Sequence, residues 1–193
     1  MTENVSVTAR QRASPRARRT LLLIAAIGVA PIIASYVAYY FWPRQARVNY
    51  GELLPTQPAS AVEGTRSDGR AFRLDSLRGR WILLMSSHVQ CDAICQRMLY
   101  ATRQARTIQG TDQDRVVRVW LVTGAGDASA ALLAQHPGLD VVRITAATRA
   151  NVSDRQIYLI DPLGNWVLAW PADPDIKALA KDLGRVLRAS QIG

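Results

Sequence analysis

From Thr20 to Trp42 the chain runs 23 residues without a charge (TLLLIAAIGVAPIIASYVAYYFW). At about 1.5 Å per residue such a helix crosses a hydrocarbon core of roughly 30 Å, so the pattern predicts a transmembrane helix. Its far end collects Tyr36, Tyr39, Tyr40, Phe41 and Trp42, rings that sit well at a membrane–water interface. Pro31 falls inside the span, where local adjustments can absorb the lost backbone bond. A cleaved signal peptide would share the basic start but has an apolar core of only about 7–15 residues. The length and the aromatic end favour a retained span.

Residues 43–60 contain Pro55 and Pro58 and little periodicity, and read as a spacer. Residues 61–193 then alternate between strand and helix patterns. Asp68-Gly69 is a hairpin-turn signal between short extended runs. Trp81 to Met85 is a continuous apolar run, as expected of a strand buried on both faces, and Ser86 to Gln90 read as the loop after it. Apolar positions at Ile94, Met98, Leu99, Ala101 and Ala105 predict a helix over 92–108. Val116–Thr123 is the next strand. A short helix over 127–135, capped by Asp127, ends at His136-Pro137-Gly138. Strands follow at 141–144 and 156–160, then a type I turn at Asp161-Pro162-Leu163-Gly164 and a returning strand to Trp170. A final helix over 173–187 carries Ile176, Leu179, Ala180, Leu183 and Leu187 on one face. This order predicts an α/β domain with a mixed sheet and helices on both faces.

The length, 193 residues, leaves room for one ordinary domain and an appendage. A hydrophobic share of 49% with 20% charged residues is ordinary globular usage, which excludes a disordered or collagen-like chain. The formal charge of +9 raises the question of nucleic acid. Its distribution answers that question: Arg10, Arg12, Arg16, Arg18 and Arg19 precede the apolar run against the single acid Glu3. The basic tail, residues 1–19, is thus a topology signal that keeps the N-terminus inside. No nucleic-acid partner is expected.

The two cysteines, Cys91 and Cys95, are four apart at the junction between a buried strand and the following helix. If both were helical they would share a face, with Cα atoms about 6 Å apart, close enough for a disulfide. Helix N-terminal N–H groups favour a thiolate, so the upstream thiol is expected to be the better nucleophile or metal ligand, and thiolates suit Cu(I). The other reading is a disulfide that only staples the helix start, a weak staple because its loop is so short. His88, three residues before Cys91, is a candidate third ligand or proton acceptor, or an exposed loop histidine. His136 reads as a capping or surface residue, Met98 as core, and Arg97, Arg103 and Arg106 as a solvated helix face.

In this order the motifs resemble those of the Sco/SenC family of membrane-anchored, thioredoxin-like cytochrome c oxidase assembly proteins. SDGRAFRLDSLRGRWILL looks like that family's hairpin, DG turn and L-x-G-[KR] lead into the first core strand. CDAIC matches its C-x-x-x-C, and IYLIDPLGNWV looks like its Y-L-I-D-P-x-G hairpin. The resemblance implies a thioredoxin-like mixed sheet flanked by helices. It also implies a single-pass protein of the bacterial inner membrane with its N-terminus cytoplasmic and its C-terminal domain periplasmic. The expected role is in assembly of the CuA site, with cytochrome c oxidase subunit II or other assembly factors as partners. Cys91 and Cys95 would act by thiol–disulfide exchange, Cys91 attacking and Cys95 resolving, or would hold Cu(I).

Two departures limit what carries over. The family's third copper ligand, a histidine five residues before the Tyr of Y-L-I-D-P, is here Ser153, so copper is expected to bind weakly, with His88 as a substitute donor beside Cys91 and Cys95. The prolines that flank the family's cysteines are here Asp92 and Gln96, and no proline lies between Pro137 and Pro162 to oppose the dithiol as in general disulfide reductases. A rival of another class is a non-catalytic adaptor, a binding subunit of an oxidase assembly complex.

Overall fold

The computed structural model describes residues 15–41, 49–144, 146–149, 152–190 and 192. The chain divides into two compact units, Met1–Arg47 and Val48–Gly193.

In the first unit, helix α1 spans Pro15–Phe41 and continues through Pro31. Its stretch Arg18–Tyr40 is long and apolar enough to cross a membrane and has none of its hydrophobic window buried. Leu21, Ile24, Ile27 and Tyr40 are all exposed. A helix apolar on every side has no polar face for water, unlike the surface helix of a globular domain. Residues 1–14 of the basic tail, and Trp42 at the expected end of the span, lie outside the described residues.

The second unit is built on one eight-stranded sheet. The strands are β1 (Glu52–Leu53), β2 (Glu63–Arg66), β3 (Ala71–Arg73), β4 (Trp81–His88), β5 (Val116–Thr123), β6 (Leu139–Ile144), β7 (Gln156–Ile160) and β8 (Trp166–Pro171), in the order β1-β8-β7-β4-β5-β6-β2-β3. β4, β5 and β6 run parallel, and the outer pairings are antiparallel. The helices are α2 (Ala93–Thr107), α3 (Ala130–Ala134), α4 (Ala146–Arg149) and α5 (Ile176–Ala189).

The alternation along β4 sorts its side chains between two cores. Trp81, Leu83 and Met85 pack with Met98, Leu99 and Ala105 of α2 and Leu179, Leu183 and Leu187 of α5. Ile82 and Leu84 face the other way, onto Ala59, Val62, Phe72, Leu74 and Val152. The sheet is flanked by helical segments as expected, unequally: both long helices share one face, and the short 3-10 helix Leu74–Leu77 with segments around Ala59, Val62 and Val152 covers the other.

Four boundaries differ from the sequence reading. Part of the expected spacer belongs to the folded body: Glu52 and Leu53 pair with Ala169 and Leu168, and Ala59 is buried. β4 continues through Ser86–His88 because Leu121–Thr123 of β5 pair with these residues, and the two buried serines find partners. Ser86 Oγ donates to Asp154 at 2.7 Å, and Ser87 Oγ accepts from Trp120 Nε1 at 2.8 Å. α3 starts after Ser129, with Asp127 instead paired to Arg143 at 3.6 Å. α5 starts after Asp175, whose carboxylate accepts from the N–H groups of Lys177 and Ala178.

Candidate functional site

β4 and β7 are antiparallel, with Met85 opposite Ile157. The end of β4 and the start of β7 therefore meet at one end of the central strands. There the chain leaves β4 at His88, passes Val89 and Gln90, and reaches Cys91 just before α2, while residues 152–155 approach from the other side. A cavity of about 330 Å³ opens between them, bordered by Ser87, His88, Cys91, Asp92, Cys95, Asp154 and Arg155 among others.

Cys91 and Cys95 are joined as a disulfide with Cα atoms 5.1 Å apart. The two do not both lie in the helix. Asp92 is the N-cap of α2, its carboxylate accepting from the Cys95 N–H at 2.9 Å, so Cys95 sits in the first helical turn and Cys91 lies outside. Cys91 has a backbone φ of 45° and is the one non-glycine residue at positive φ among the described residues. That conformation costs an L-residue of order 1 kcal/mol. Its N–H donates to the His88 carbonyl at 3.0 Å and its own carbonyl accepts from Gln96 Nε2 at 3.3 Å. Both cysteines are buried, Cys91 with 4% and Cys95 with 1% of their surface exposed.

His88 shares the cavity with the cysteines, yet its imidazole is held from other directions. Nδ1 accepts from the Gln90 N–H at 3.3 Å. The far side of the ring rests on Gly124, where an added Cβ would come within 2.2 Å of Nε2. Gly124 has φ +90°, so glycine both permits the turn and leaves room for the ring. Among the described residues no three His, Cys, Asp or Glu side chains converge to hold a metal ion.

Ser153, at the position where the resemblance calls for histidine, is exposed and does not border the cavity. Its N–H donates to the Tyr158 hydroxyl at 3.1 Å, and its Oγ accepts from the Arg155 N–H at 3.4 Å. The next two residues face the cysteines instead. Asp154 is fixed by Ser86 and by Arg149 at 3.2 Å. Arg155 borders the cavity as well, so a cationic residue and the carboxylate residues Asp92 and Asp154 share its rim. The donor set therefore does not fit a resident copper ion: its two sulfurs are bonded to each other and, among the described residues, no third ligand is grouped with them.

His136 lies beside Arg118 near the start of β5, away from the strand ends that carry the cysteines. It is buried beside Arg118, and burial first, then the charges of Arg118 and Arg103, hold its pKa below the usual histidine value. The Arg118 guanidinium is itself buried, donates to the Pro137 carbonyl at 2.7 Å and is pushed down to about 10, chiefly by desolvation. Met98 is fully buried, as expected. Of the helix arginines, Arg97 pairs with Asp173, Arg103 lies over the Tyr100 ring, and Arg106 bonds the Val116 carbonyl.

Ser86, Gly124, Asp154 and Arg155 are the site residues that sequence reasoning missed. Asp154 and Arg155 had a signal, since they adjoin the Ser153 position. Gly124 had none, because its role depends on a ring 36 residues earlier in the chain.

A mixed parallel and antiparallel sheet, two long helices on one face and a cysteine pair at the strand-to-helix junction define a thioredoxin-like domain with a dithiol site. The chain belongs to the family described as transmembrane-like, thioredoxin-like, C-terminal domain, whose model matches residues 81–190. No curated protein matches the sequence. Among solved structures it is similar to apo Sco1 from Thermus thermophilus, at 19% identity and a TM-score of 0.59, over 75% of this chain and 98% of that one. ScoI from Bradyrhizobium japonicum with copper bound gives 21% and 0.51, over 68% and 99%. The thioredoxin domain of a thiol-disulfide oxidoreductase from Bacteroides vulgatus gives 15% and 0.54, over 69% and 99%. These are likenesses of fold, and they agree with the resemblance to Sco/SenC proteins carried by the sequence motifs.

Proposed function

We propose that this chain is a membrane-anchored, thioredoxin-like protein that assists assembly of the CuA site of cytochrome c oxidase by thiol–disulfide exchange through Cys91 and Cys95. The observation that carries this reading is the bonded cysteine pair at the border of a cavity, with no third metal donor grouped with it among the described residues. In the reduced protein the Cys91 thiolate attacks a partner disulfide, forming a mixed disulfide and releasing one partner thiolate. The Cys95 thiolate then attacks Cys91 Sγ, forming the Cys91–Cys95 bond and releasing the second. Two electrons pass to the partner. Cys91 takes the attacking role because it lies outside α2 and is the more exposed of the two.

The partner in this reading is oxidase subunit II or another assembly factor. α1 anchors the protein in the bacterial inner membrane, with the basic flank cytoplasmic and the thioredoxin-like body periplasmic. Active alkaline phosphatase fused after Gly193 is the expected result of a topology assay. Copper enters as cargo: two thiolates of the reduced pair can carry Cu(I), weakly, since the third donor is lacking.

The burial of both sulfurs favours a second reading, in which the disulfide is inert and the body is an adaptor. Thiol trapping separates the two. Full-length Cys95→Ser protein in native membranes is expected to accumulate a mixed disulfide through Cys91 with subunit II, identified by mass spectrometry, and Cys91→Ser to trap little. An unreactive Cys91 across pH 5–9, with oxidase assembly intact in both variants, would establish the adaptor.

A further inference from the structure

The solvent arc of α5 is almost entirely cationic. Lys177, Lys181 and Arg188 fall within about 40° of one another at 100° per residue. All three are exposed, and none has an ion-pair partner among the described residues. Arg185 lies beside them, paired with Asp182 at 3.3 Å. The remaining positions of this arc are Ala178 and Ala189, small enough not to hold the charges away from a flat surface. Lys177 and Lys181 are also the only lysines in the chain.

The same helix receives the start of the folded body. Arg185 donates to Asn49 Oδ1 at 2.5 Å, the Gly51 N–H donates to Asp182 at 2.8 Å, and the Tyr50 hydroxyl accepts from the Asp175 N–H at 3.1 Å. Only residues 42–48 separate Phe41 from Asn49. At about 3.4 Å per residue, even a fully extended connection cannot carry Asn49 more than about 27 Å from the end of α1. The length of the connection thus limits the reach of Asn49, and the basic face lies on the helix to which Asn49 is bonded.

We infer that the Lys177–Lys181–Arg188 face of α5 docks on the anionic phospholipid surface of the membrane, through the phosphodiester headgroups. Each basic side chain near an anionic surface adds a comparable increment of attraction that falls off within a Debye length of about 8–10 Å. Three on one face, with a short tether to keep them close, suffice to hold the body against the surface. The inference rests on α1 spanning the bilayer and is independent of the dithiol chemistry.

The two lysines make the test direct. The full chain is placed in nanodiscs of phosphatidylcholine alone or with 30% phosphatidylglycerol and treated with a neutral, water-soluble acylating reagent. A lysine peptide in solution calibrates the reagent, and modification at Lys177 and Lys181 is read by mass spectrometry. Acylation of both is expected to slow by about fivefold in the anionic discs, to recover in 0.5 M NaCl, and to be less protected in Arg188→Glu, whose exposed and unpaired site tolerates the change. Equal rates in both disc types, or protection that persists in high salt, would overturn the docking surface. Failure of the chain to co-migrate with discs would overturn the membrane anchor instead, so the two failures are distinguishable.

Discussion

The carboxylate of Asp92 accepts the Cys95 N–H at 2.9 Å, which makes the residue directly after Cys91 both the cap of α2 and a negative charge beside the dithiol. The helix N-terminus favours a thiolate, and the carboxylate works against it. Asp92→Asn keeps the capping oxygen and removes the charge. The reduced variant is therefore expected to alkylate several-fold faster at Cys91 than the parent at pH 7, with an apparent thiol pKa that moves down. Stopped-flow alkylation across pH 5–9 measures it, and an unchanged pH profile would show that the Asp92 charge does not reach the sulfur.

Ser153 stands where the resemblance to Sco/SenC proteins expects a copper-ligating histidine, on the loop that leads to β7. The reduced chain is expected to hold Cu(I) with two sulfur donors and to bind Cu(II) scarcely at all, because Cu(II) favours imidazole. Because Ser153 does not border the cavity, Ser153→His is expected to leave Cu(I) affinity unchanged in competition with a chromophoric chelator, and a large gain would show that the loop before β7 brings position 153 to the sulfurs. If the parent already binds Cu(II) tightly and stoichiometrically, His88 must leave Gly124 to supply the donor, and His88→Ala should abolish it.

His136 is buried next to Arg118, and both factors lower its pKa below the ordinary value of 6.5. Above pH 6.5 folded and unfolded chains are both neutral here. As the pH falls below 6.5 the unfolded chain takes up a proton that the folded chain refuses, so stability declines on acidification until the lower folded pKa is reached. Urea denaturation of the parent at pH 7.5 and 5.0 is expected to show this loss, and His136→Gln to show a smaller one. An identical difference in both proteins would assign the acid sensitivity to other groups.

Asp182 is buried on α5 and accepts from the Gly51 N–H, from Trp170 Nε1 at 3.2 Å and from Arg185. Asp182→Ala leaves two buried donors and a guanidinium without their acceptor, at an expected cost of about 2–4 kcal/mol. The loss should concentrate at the start of the body: amides of residues 49–53 are expected to exchange faster than those of β4. Uniform exchange across the sheet would contradict a local role.

Elements whose signal is periodic or compositional could be read along the chain. The uncharged run of α1, the buried strands β4, β5 and β7, the amphipathic helices α2 and α5, and the Asp68-Gly69 and Asp161–Gly164 turns were all legible, because burial repeats at the spacing of the element that carries it. The cysteine pair was legible too, since a strand-to-helix junction and a four-residue spacing are both local. Features that depend on distant partners took their form in the folded sheet. Glu52 and Leu53 become a strand because β8 offers them an edge, and Ser86 and Ser87 remain in β4 because Asp154 and Trp120 satisfy their hydroxyls. Cys91 leaves the helix because Asp92 takes the cap. His88 turns to Gly124, and Arg155 comes to the cavity, because the antiparallel pairing of β7 with β4 brings the loop before β7 to the end of β4. A hydrogen bond or a seat for a ring formed across tens of residues leaves no period in the chain, so these features emerge only when the sheet order is known.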